Sequence, residues 1–176
     1  DNTLAERDEA AVMAALGVCL LLIGFLFKVS VVPFHMWAPD VYDGAPTPVT
    51  GLMATGIKAA GFLALTRLLF VTFPANAELW QPVLGILAIL TMVAGNLMAL
   101  AQRTVKRMLA YSSVAHAGYI LAAVWSGTRL GAGAVLAYLL AYSLTSLAAF
   151  GLLGALGRGG ERDLTADDLS GLARTR

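Results

Sequence analysis

Two lysines lie inside apolar stretches of this chain that are long enough to cross a lipid bilayer. Lys28 lies in the run from Ala10 to Val32, and Lys58 lies in the run VTGLMATGIKAAGFLALTRLLF. An ammonium near the middle of a bilayer costs about 3 kcal/mol on insertion scales, so charged residues at this depth usually serve a function. Burial disfavours the charged form of a lysine and a nearby carboxylate restores it, so such a lysine can gain and lose a proton. The pair indicates movement of charge or protons rather than a passive membrane anchor.

His116 supplies a third ionisable side chain, on a later apolar segment. At a rise of about 1.5 Å per residue, counted from Asp40, Pro48 and Arg107 respectively, Lys28, Lys58 and His116 lie about 18, 15 and 14 Å deep. The depth of Lys28 assumes that the chain stays helical past Pro33. Because the hydrocarbon core is about 30 Å thick, all three are predicted near its middle, where they could form a polar line parallel to the membrane plane.

Hydroxyl groups near His116 support a proton relay along this line. Ser112 lies four residues before His116 and Tyr119 three residues after it, so the three share one helix face. Tyr142 lies at mid-depth on the last apolar segment. Hydroxyls and imidazoles can both donate and accept hydrogen bonds, which a relay requires. The alternative stays open that the hydroxyls bond to their own helices and that the tyrosines and the histidine only fill space.

Composition assigns the chain to the membrane proteins. It has 176 residues, of which 59% are hydrophobic and 13% charged, about half the charged fraction of a soluble domain. The net charge of +1 gives no reason to expect a nucleic-acid partner. The single cysteine, Cys19, cannot form an internal disulfide or hold an iron–sulfur cluster, so a packing role is expected. The acidic opening DNTLAERDEA is not a signal peptide, and the missing initiator Met suggests a fragment.

Five segments reach the roughly 20 apolar residues that a spanning helix needs. We predict an all-α polytopic transmembrane helix bundle over residues 10–157, preceded by an extramembrane lead-in at 1–9 and followed by a truncated polar cytoplasmic loop at 158–176. The predicted spans are about 10–32, 49–73, 79–101, 105–125 and 130–156.

The first connection, PFHMWAPDVYDGAPTPV, is rich in proline. Pro33 removes a backbone donor and clashes with the preceding turn, so it is predicted to break the first helix. In lipid a break survives only where protein or water satisfies the freed carbonyls, and such helices often mark ion sites in transporters. The alternative is that Pro33 simply ends the helix at the surface.

Basic residues predict the orientation of the bundle. The third connection and the tail lie on one side of a five-helix serpentine and carry Arg103, Lys106, Arg107, Arg158, Arg162, Arg174 and Arg176. The other side carries Arg7, Arg67 and Arg129. The positive-inside rule therefore predicts that the N-terminus is outside and that the tail is cytoplasmic.

Three motifs in order resemble a known family. FKVSVVPFHMWAPDVYDGAPTPV, the lysine of GIKAAG, and QRTVKRMLAYSSVAHAGY resemble the antiporter-like membrane subunits of respiratory complex I, most closely the N subunit of bacterial NADH–quinone oxidoreductase, called subunit 2 in mitochondria. The resemblance covers about residues 10–176. It implies the middle to late part of such a subunit, from its broken seventh helix to just before a second broken helix.

The resemblance implies roles for the three ionisable residues. Lys28 matches the family lysine on the broken helix that pairs with a glutamate two helices earlier, and Lys58 matches the connecting lysine on the next helix. His116 falls where family members carry polar residues on a central hydrophilic axis. The glutamate and the terminal lysine of the later broken helix are not in this chain, so it holds only part of the proton path that the resemblance implies.

The resemblance also implies a function and a setting. It implies a proton-translocating, non-redox subunit of an NADH:quinone oxidoreductase, multi-pass in the bacterial inner membrane, whose partners are the lipid bilayer and other membrane subunits of the complex. NADH, flavin, iron–sulfur clusters and quinone are expected in those other subunits, and no cofactor is expected on this chain.

Two other functions remain open. Multi-subunit sodium/proton antiporters share the family, and a structural membrane module could hold both lysines neutral. An enzyme with its own redox centre is disfavoured, because the chain has no cysteine cluster and no phosphate-binding glycine loop.

Overall fold

The computed structural model describes residues 2–157, 164–165 and 167–170, without the side chains of residues 2–8 and 10. Most of the predicted tail, including its four arginines, lies outside the described residues. The helices are α1 Asn2–Lys28, α2 Trp37–Gly44, α3 Thr47–Thr72, α4 Ala77–Leu100, α5 Val105–Trp125 and α6 Arg129–Leu156.

All of these helices except α2 are long and apolar enough to cross a membrane. Large apolar side chains stand exposed on the outer faces of α1, α4 and α6, where lipid or further protein would cover them. The prediction of an all-α bundle with five spans is confirmed. Helix α1 begins at Asn2, so the residues predicted as a lead-in continue the helix from position 2 onward.

The first helix ends earlier than the sequence predicted. It stops at Lys28 instead of Val32, and α2 begins only at Trp37, so Pro33 lies within the break rather than at its start. The depth of about 18 Å, which assumed a continuous helix past Pro33, therefore does not hold for Lys28.

A Schellman-type cap explains why α1 stops before Pro33. Ser30 has a left-handed backbone with φ 63°. Its amide donates to the carbonyl of Phe27 at 3.1 Å, and the amide of Val31 donates to the carbonyl of Leu26 at 2.9 Å. These are the two bonds that define this cap, in which glycine usually takes the left-handed position. The carbonyls of Leu26 and Phe27 in the last turn of α1 are thus satisfied inside the protein.

Helices α4 and α5 pack closely along glycine contacts. A Cβ on Gly95 would lie 2.6 Å from the backbone nitrogen of Ala115, and one on Gly118 would lie 2.8 Å from the backbone nitrogen of Met92. Small residues let helix backbones approach closely. In a membrane this close packing matters, because an apolar side chain gains no more from contacting another helix than from contacting lipid. Helix α5 is accordingly held in the middle of the bundle.

The connection between α4 and α5, the helix α2 and residues 164–165 lie on one side of the bundle, which we call the α2 side. The amide of Val105 donates to the carbonyl of Leu164 at 2.8 Å, and Thr104 and Thr165 form an isolated antiparallel bridge. Thr104 also caps α5 through a bond from the amide of Arg107. The start of α5 is therefore fixed by contacts from its own cap and from the tail.

Candidate functional site

Lys58 is buried in the middle of the bundle, with 1% of its surface exposed. Its ammonium donates to the carbonyl of Ser113 at 2.7 Å and to the hydroxyl of Ser113 at 2.9 Å. Lys58 directly follows a π-helical turn of α3, Met53–Ile57. Such turns often occur at functional sites, because the extra residue shifts the side chains that follow it around the helix. No described carboxylate forms an ion pair with Lys58.

A polar cavity of about 170 Å³ lies between α5 and α6, beside the acceptor of Lys58. Its volume exceeds the roughly 30 Å³ that one water occupies in the liquid, so several waters fit. Ser113 both lines this cavity and binds Lys58. The other polar residues on its wall are Ser112, His116, Tyr142, Thr145 and Ser146.

His116 links the cavity to a cluster of tyrosines. Its Nδ1 lies 2.8 Å from the hydroxyl of Tyr138 on α6. Its ring centroid lies 4.9 Å from that of Tyr142, 5.7 Å from that of Tyr119 and 5.9 Å from that of Tyr138. The imidazole is therefore both packed and hydrogen-bonded, as a relay group needs to be.

Two of the tyrosines near His116 have different surroundings. The hydroxyl of Tyr142 is buried close to the side chains of Ser113 and Ser146, without a well-aligned hydrogen bond among the described residues. Tyr119 is 38% exposed, and its hydroxyl accepts a bond from the side-chain amide of Asn96 at 3.0 Å. A buried hydroxyl without a well-aligned bond beside a polar cavity is a natural partner for water, whereas Tyr119 is already satisfied at the surface.

Lys28 lies apart from this cluster, at the last residue of α1. Its side chain is exposed, and no described residue bonds to its ammonium. Its stem approaches α3 at Gly61, where a Cβ would lie 3.7 Å from Cγ of Lys28 and 2.8 Å from Cγ1 of Val29. Gly61 lies about one helical turn along α3 from Lys58. The stem of Lys28 therefore approaches α3 about one turn away from Lys58.

Sequence reasoning missed two residues near the site. Tyr42 on α2 is fully buried, and burial raises its pKa; the nearby Tyr142 raises the pKa further, while the Ser113 side chain lowers it. Lys106 is 8% exposed and donates to the carbonyl of Ala45 at 2.6 Å. No local pattern in the sequence marks either residue, because only the folded bundle brings α2 against α5.

The structure thus brings Ser112, His116 and Tyr142 to one cavity, with Lys58 bonded to Ser113 beside it, and it leaves Lys28 and Tyr119 apart from it. Pro33 lies in the break, five residues beyond the end of α1. Within the described part of the chain, no three His, Cys, Asp or Glu side chains come together as a metal site.

Comparison with known proteins gives concordant results. The model of the family described as NADH:quinone oxidoreductase/Mrp antiporter, transmembrane, matches residues 2–176. NADH-quinone oxidoreductase subunit N of Trichlorobacter lovleyi is 51% identical over 164 residues, which cover 93% of this chain and 34% of that protein. The chain therefore spans about a third of the length of the curated relatives it matches.

Two solved structures share the fold. Respiratory complex I from Thermus thermophilus with bound aureothin matches with a TM-score of 0.66 and 48% identity, covering 80% of this chain and 30% of that chain. The Mrp complex from Dietzia sp. DQ12-45-1b matches with a TM-score of 0.78 and 27% identity, covering 88% and 29%. The resemblance inferred from the motifs is confirmed: this chain belongs to the NADH:quinone oxidoreductase/Mrp antiporter family of multi-pass membrane proteins, and its relatives include subunit N of NADH-quinone oxidoreductase.

Proposed function

We propose that this chain is part of a proton-translocating membrane subunit of an NADH-quinone oxidoreductase. Protons move through a mid-membrane line of Lys58, Ser113, the polar cavity and His116, while electron transfer takes place in other subunits. The observation that carries the proposal is the burial of Lys58 beside this cavity without a described carboxylate. A lysine that served only for packing there would destabilise the fold relative to an apolar side chain of similar size.

The geometry supports a stepwise relay. The ammonium of Lys58 faces the hydroxyl of Ser113, which also faces the cavity. When Lys58 gives up its proton, a hydroxyl or a water in the cavity can accept it, because each of these groups both donates and accepts. His116 then lies on the same cavity wall, with Tyr138 on its Nδ1. Tyr142 and Ser112 line the route, and Tyr119 supports the ring of His116 from the surface.

Lys28 would be the second charged residue of the proposed proton relay. Its ammonium is unpaired among the described residues and faces out of the bundle. We propose that a glutamate from a part of the longer subunit outside this chain pairs with it. Opening and closing that ion pair would change how favourable the charged form of Lys58 is, since like charges nearby disfavour each other.

The relatives' names and the basic residues of the chain support the setting that we propose. The partners are other membrane subunits of the complex and the bilayer, and NADH, flavin, iron–sulfur clusters and quinone belong to those other subunits. The membrane is the bacterial inner membrane, with the N-terminus of this chain outside and the α2 side facing the cytoplasm.

The test uses the full-length subunit in its intact complex, in sealed inverted membrane vesicles. Lys58→Ala and Lys28→Ala should each lower NADH-driven proton pumping strongly, while Lys28→Arg should retain part of it. Ser113→Ala is a milder variant. It removes the hydroxyl bond to Lys58, while the ammonium keeps its hydrogen bond to the carbonyl of residue 113. Near-normal pumping in both alanine variants, with normal amounts of assembled complex, would contradict the relay. Normal pumping per assembled complex combined with poor assembly would indicate a structural module.

A second candidate is a subunit of a multi-subunit cation/proton antiporter. The fold match to the Mrp complex favours it, with a TM-score of 0.78. Vesicles that hold a sodium gradient without NADH separate the two: sodium-driven proton movement that depends on Lys58 would favour the antiporter, and pumping that requires NADH and quinone would favour the oxidoreductase.

A further inference from the structure

The break after α1 creates a backbone problem that the sequence does not show. Residues between Lys28 and Trp37 leave the helix within a region where Ser30 and Val31 are fully buried. The amides of Ser30 and Val31 return to carbonyls of α1, but the next one along, that of Val32, has no such partner. Val32 itself is half-buried, and an amide shielded from water needs an acceptor within the protein.

Thr91 on α4 supplies that acceptor. It is fully buried, and its Oγ1 lies 3.1 Å from the amide nitrogen of Val32, 59 residues away in sequence. The same hydroxyl donates to the carbonyl of Leu87 at 2.5 Å. Because its proton is committed to Leu87, a lone pair of Oγ1 is free to accept from the amide of Val32. One hydroxyl thus ties the break of α1 to the middle of α4.

The bond to Leu87 alone has an ordinary explanation. Threonines in membrane helices commonly bond back to the carbonyl four residues earlier. That habit does not account for the second bond, which joins two different elements. It meets the half-buried amide of Val32, which has no other acceptor among the described residues. The side chain of Trp37 ties the other side of the break, since its Nε1 donates to the carbonyl of Phe27 at 2.9 Å.

We propose that Thr91 is a positioning residue for Lys28. By fixing the amide of Val32, it holds the break in the conformation that ends α1 at Lys28 and aims this side chain out of the bundle. The inference rests on the proposed function, in which Lys28 is a charged point of the proton line. Thr91 itself carries no proton along that line.

Two substitutions isolate the hydroxyl. Thr91→Val keeps the shape of the side chain and removes both hydrogen bonds, whereas Thr91→Ser keeps the hydroxyl. In the intact complex in sealed vesicles, we expect Thr91→Val to lower NADH-driven pumping about fivefold, in line with the loss of one buried hydrogen-bond acceptor. Thr91→Ser should pump at close to the rate of the unchanged protein.

A second measurement separates positioning from general damage. In a Cys19→Ser background, Lys28→Cys is modified with a small thiol reagent in complexes that carry Thr91, Thr91→Val or Thr91→Ser. We expect Thr91→Val alone to change the modification rate at position 28 about fivefold. Arg103→Cys, which lies in the exposed connection between α4 and α5, serves as the control and should react at an unchanged rate.

The outcomes are distinct. A changed rate at position 28 only, together with lowered pumping and recovery in Thr91→Ser, supports the inference. An unchanged rate at position 28, or equal changes at positions 28 and 103, overturns it. Normal pumping in Lys28→Ala would instead count against the proposed function, and the modification rates would still report whether Thr91 positions the break.

Discussion

The ammonium of Lys106 on α5 donates a 2.6 Å hydrogen bond to the carbonyl of Ala45, the residue that directly follows α2. The carbonyl of Tyr42 on the same helix end accepts from the hydroxyl of Thr50 at 2.8 Å. A cation at a helix C-terminus satisfies an unpaired carbonyl and interacts favourably with the helix dipole. The short helix α2 is therefore anchored to the helix that carries Ser113.

Replacing Lys106 should loosen this anchor. Lys106→Met keeps an apolar stem of similar length and removes the donor, so we expect a loss of about 1.5–3 kcal/mol, typical of a hydrogen bond to a charged group. Lys106→Arg should lose less, because a guanidinium also donates. The measurement is the midpoint of thermal inactivation of the purified complex. Equal midpoints for Lys106→Met and the unchanged protein would show that the bond adds no stability.

The ion pairs beside Lys106 should matter less. Arg107 lies 2.7 Å from Asp40, whose side chain is 71% exposed. Exposed pairs typically contribute 0–1 kcal/mol, because water and salt screen them. We therefore expect Asp40→Asn to shift the inactivation midpoint less than Lys106→Met does, and to shift it less still at high salt. A larger shift for Asp40→Asn would mean that the pair, rather than the lysine, holds α2.

Gly61 should tolerate no side chain. A Cβ there would lie 2.8 Å from Cγ1 of Val29, a stiff side chain that is itself fully buried. Gly61→Ala must push α1 away from α3 near Lys28, so we expect lower pumping and less assembled complex. Gly24→Ala on α1 is the matched control, since nothing lies within 4 Å of its added Cβ. Alanine favours helix by about 1 kcal/mol over glycine, so this control should assemble normally.

Much of the fold follows from the sequence, because the membrane imposes it. A backbone in lipid must satisfy its own hydrogen bonds, so an apolar run of about 20 residues has few alternatives to a helix. The five spans were predictable for this reason. The end of α1 was not predictable, because it depends on a left-handed backbone conformation at Ser30. Glycine adopts that conformation readily and serine does not.

The site was predictable only in part. Lys58 and His116 stand out because ionisable groups are rare in apolar runs. That Lys58 meets Ser113 rather than Ser112 depends on how α3 and α5 pack against each other, which the sequence does not show. The contact of Thr91 with Val32 joins residues far apart in sequence, and no local pattern marks it.

The proposed orientation makes a prediction about two exposed positions. In a Cys19→Ser background, Arg103→Cys lies on the α2 side and Arg129→Cys lies at the opposite end of α5 and α6. If the α2 side is cytoplasmic, a membrane-impermeant maleimide added to intact cells should label position 129 and leave position 103 unlabelled. Inverted vesicles should give the reverse pattern. Labelling of position 103 in intact cells would reverse the proposed orientation.

Tyr138 offers a test of the histidine that does not remove it. Its hydroxyl lies 2.8 Å from Nδ1 of His116, and this contact fixes which ring nitrogen faces the cavity. Tyr138→Phe keeps the ring and frees Nδ1, so we expect pumping to fall several-fold, in line with the loss of one hydrogen bond of about 1 kcal/mol. Tyr119→Phe removes a hydroxyl that bonds Asn96 at the surface and should leave pumping nearly unchanged. Equal pumping rates in the two variants, measured per assembled complex, would show that the bond between Tyr138 and His116 does not contribute to the relay, because only one of the two hydroxyls contacts its ring nitrogen.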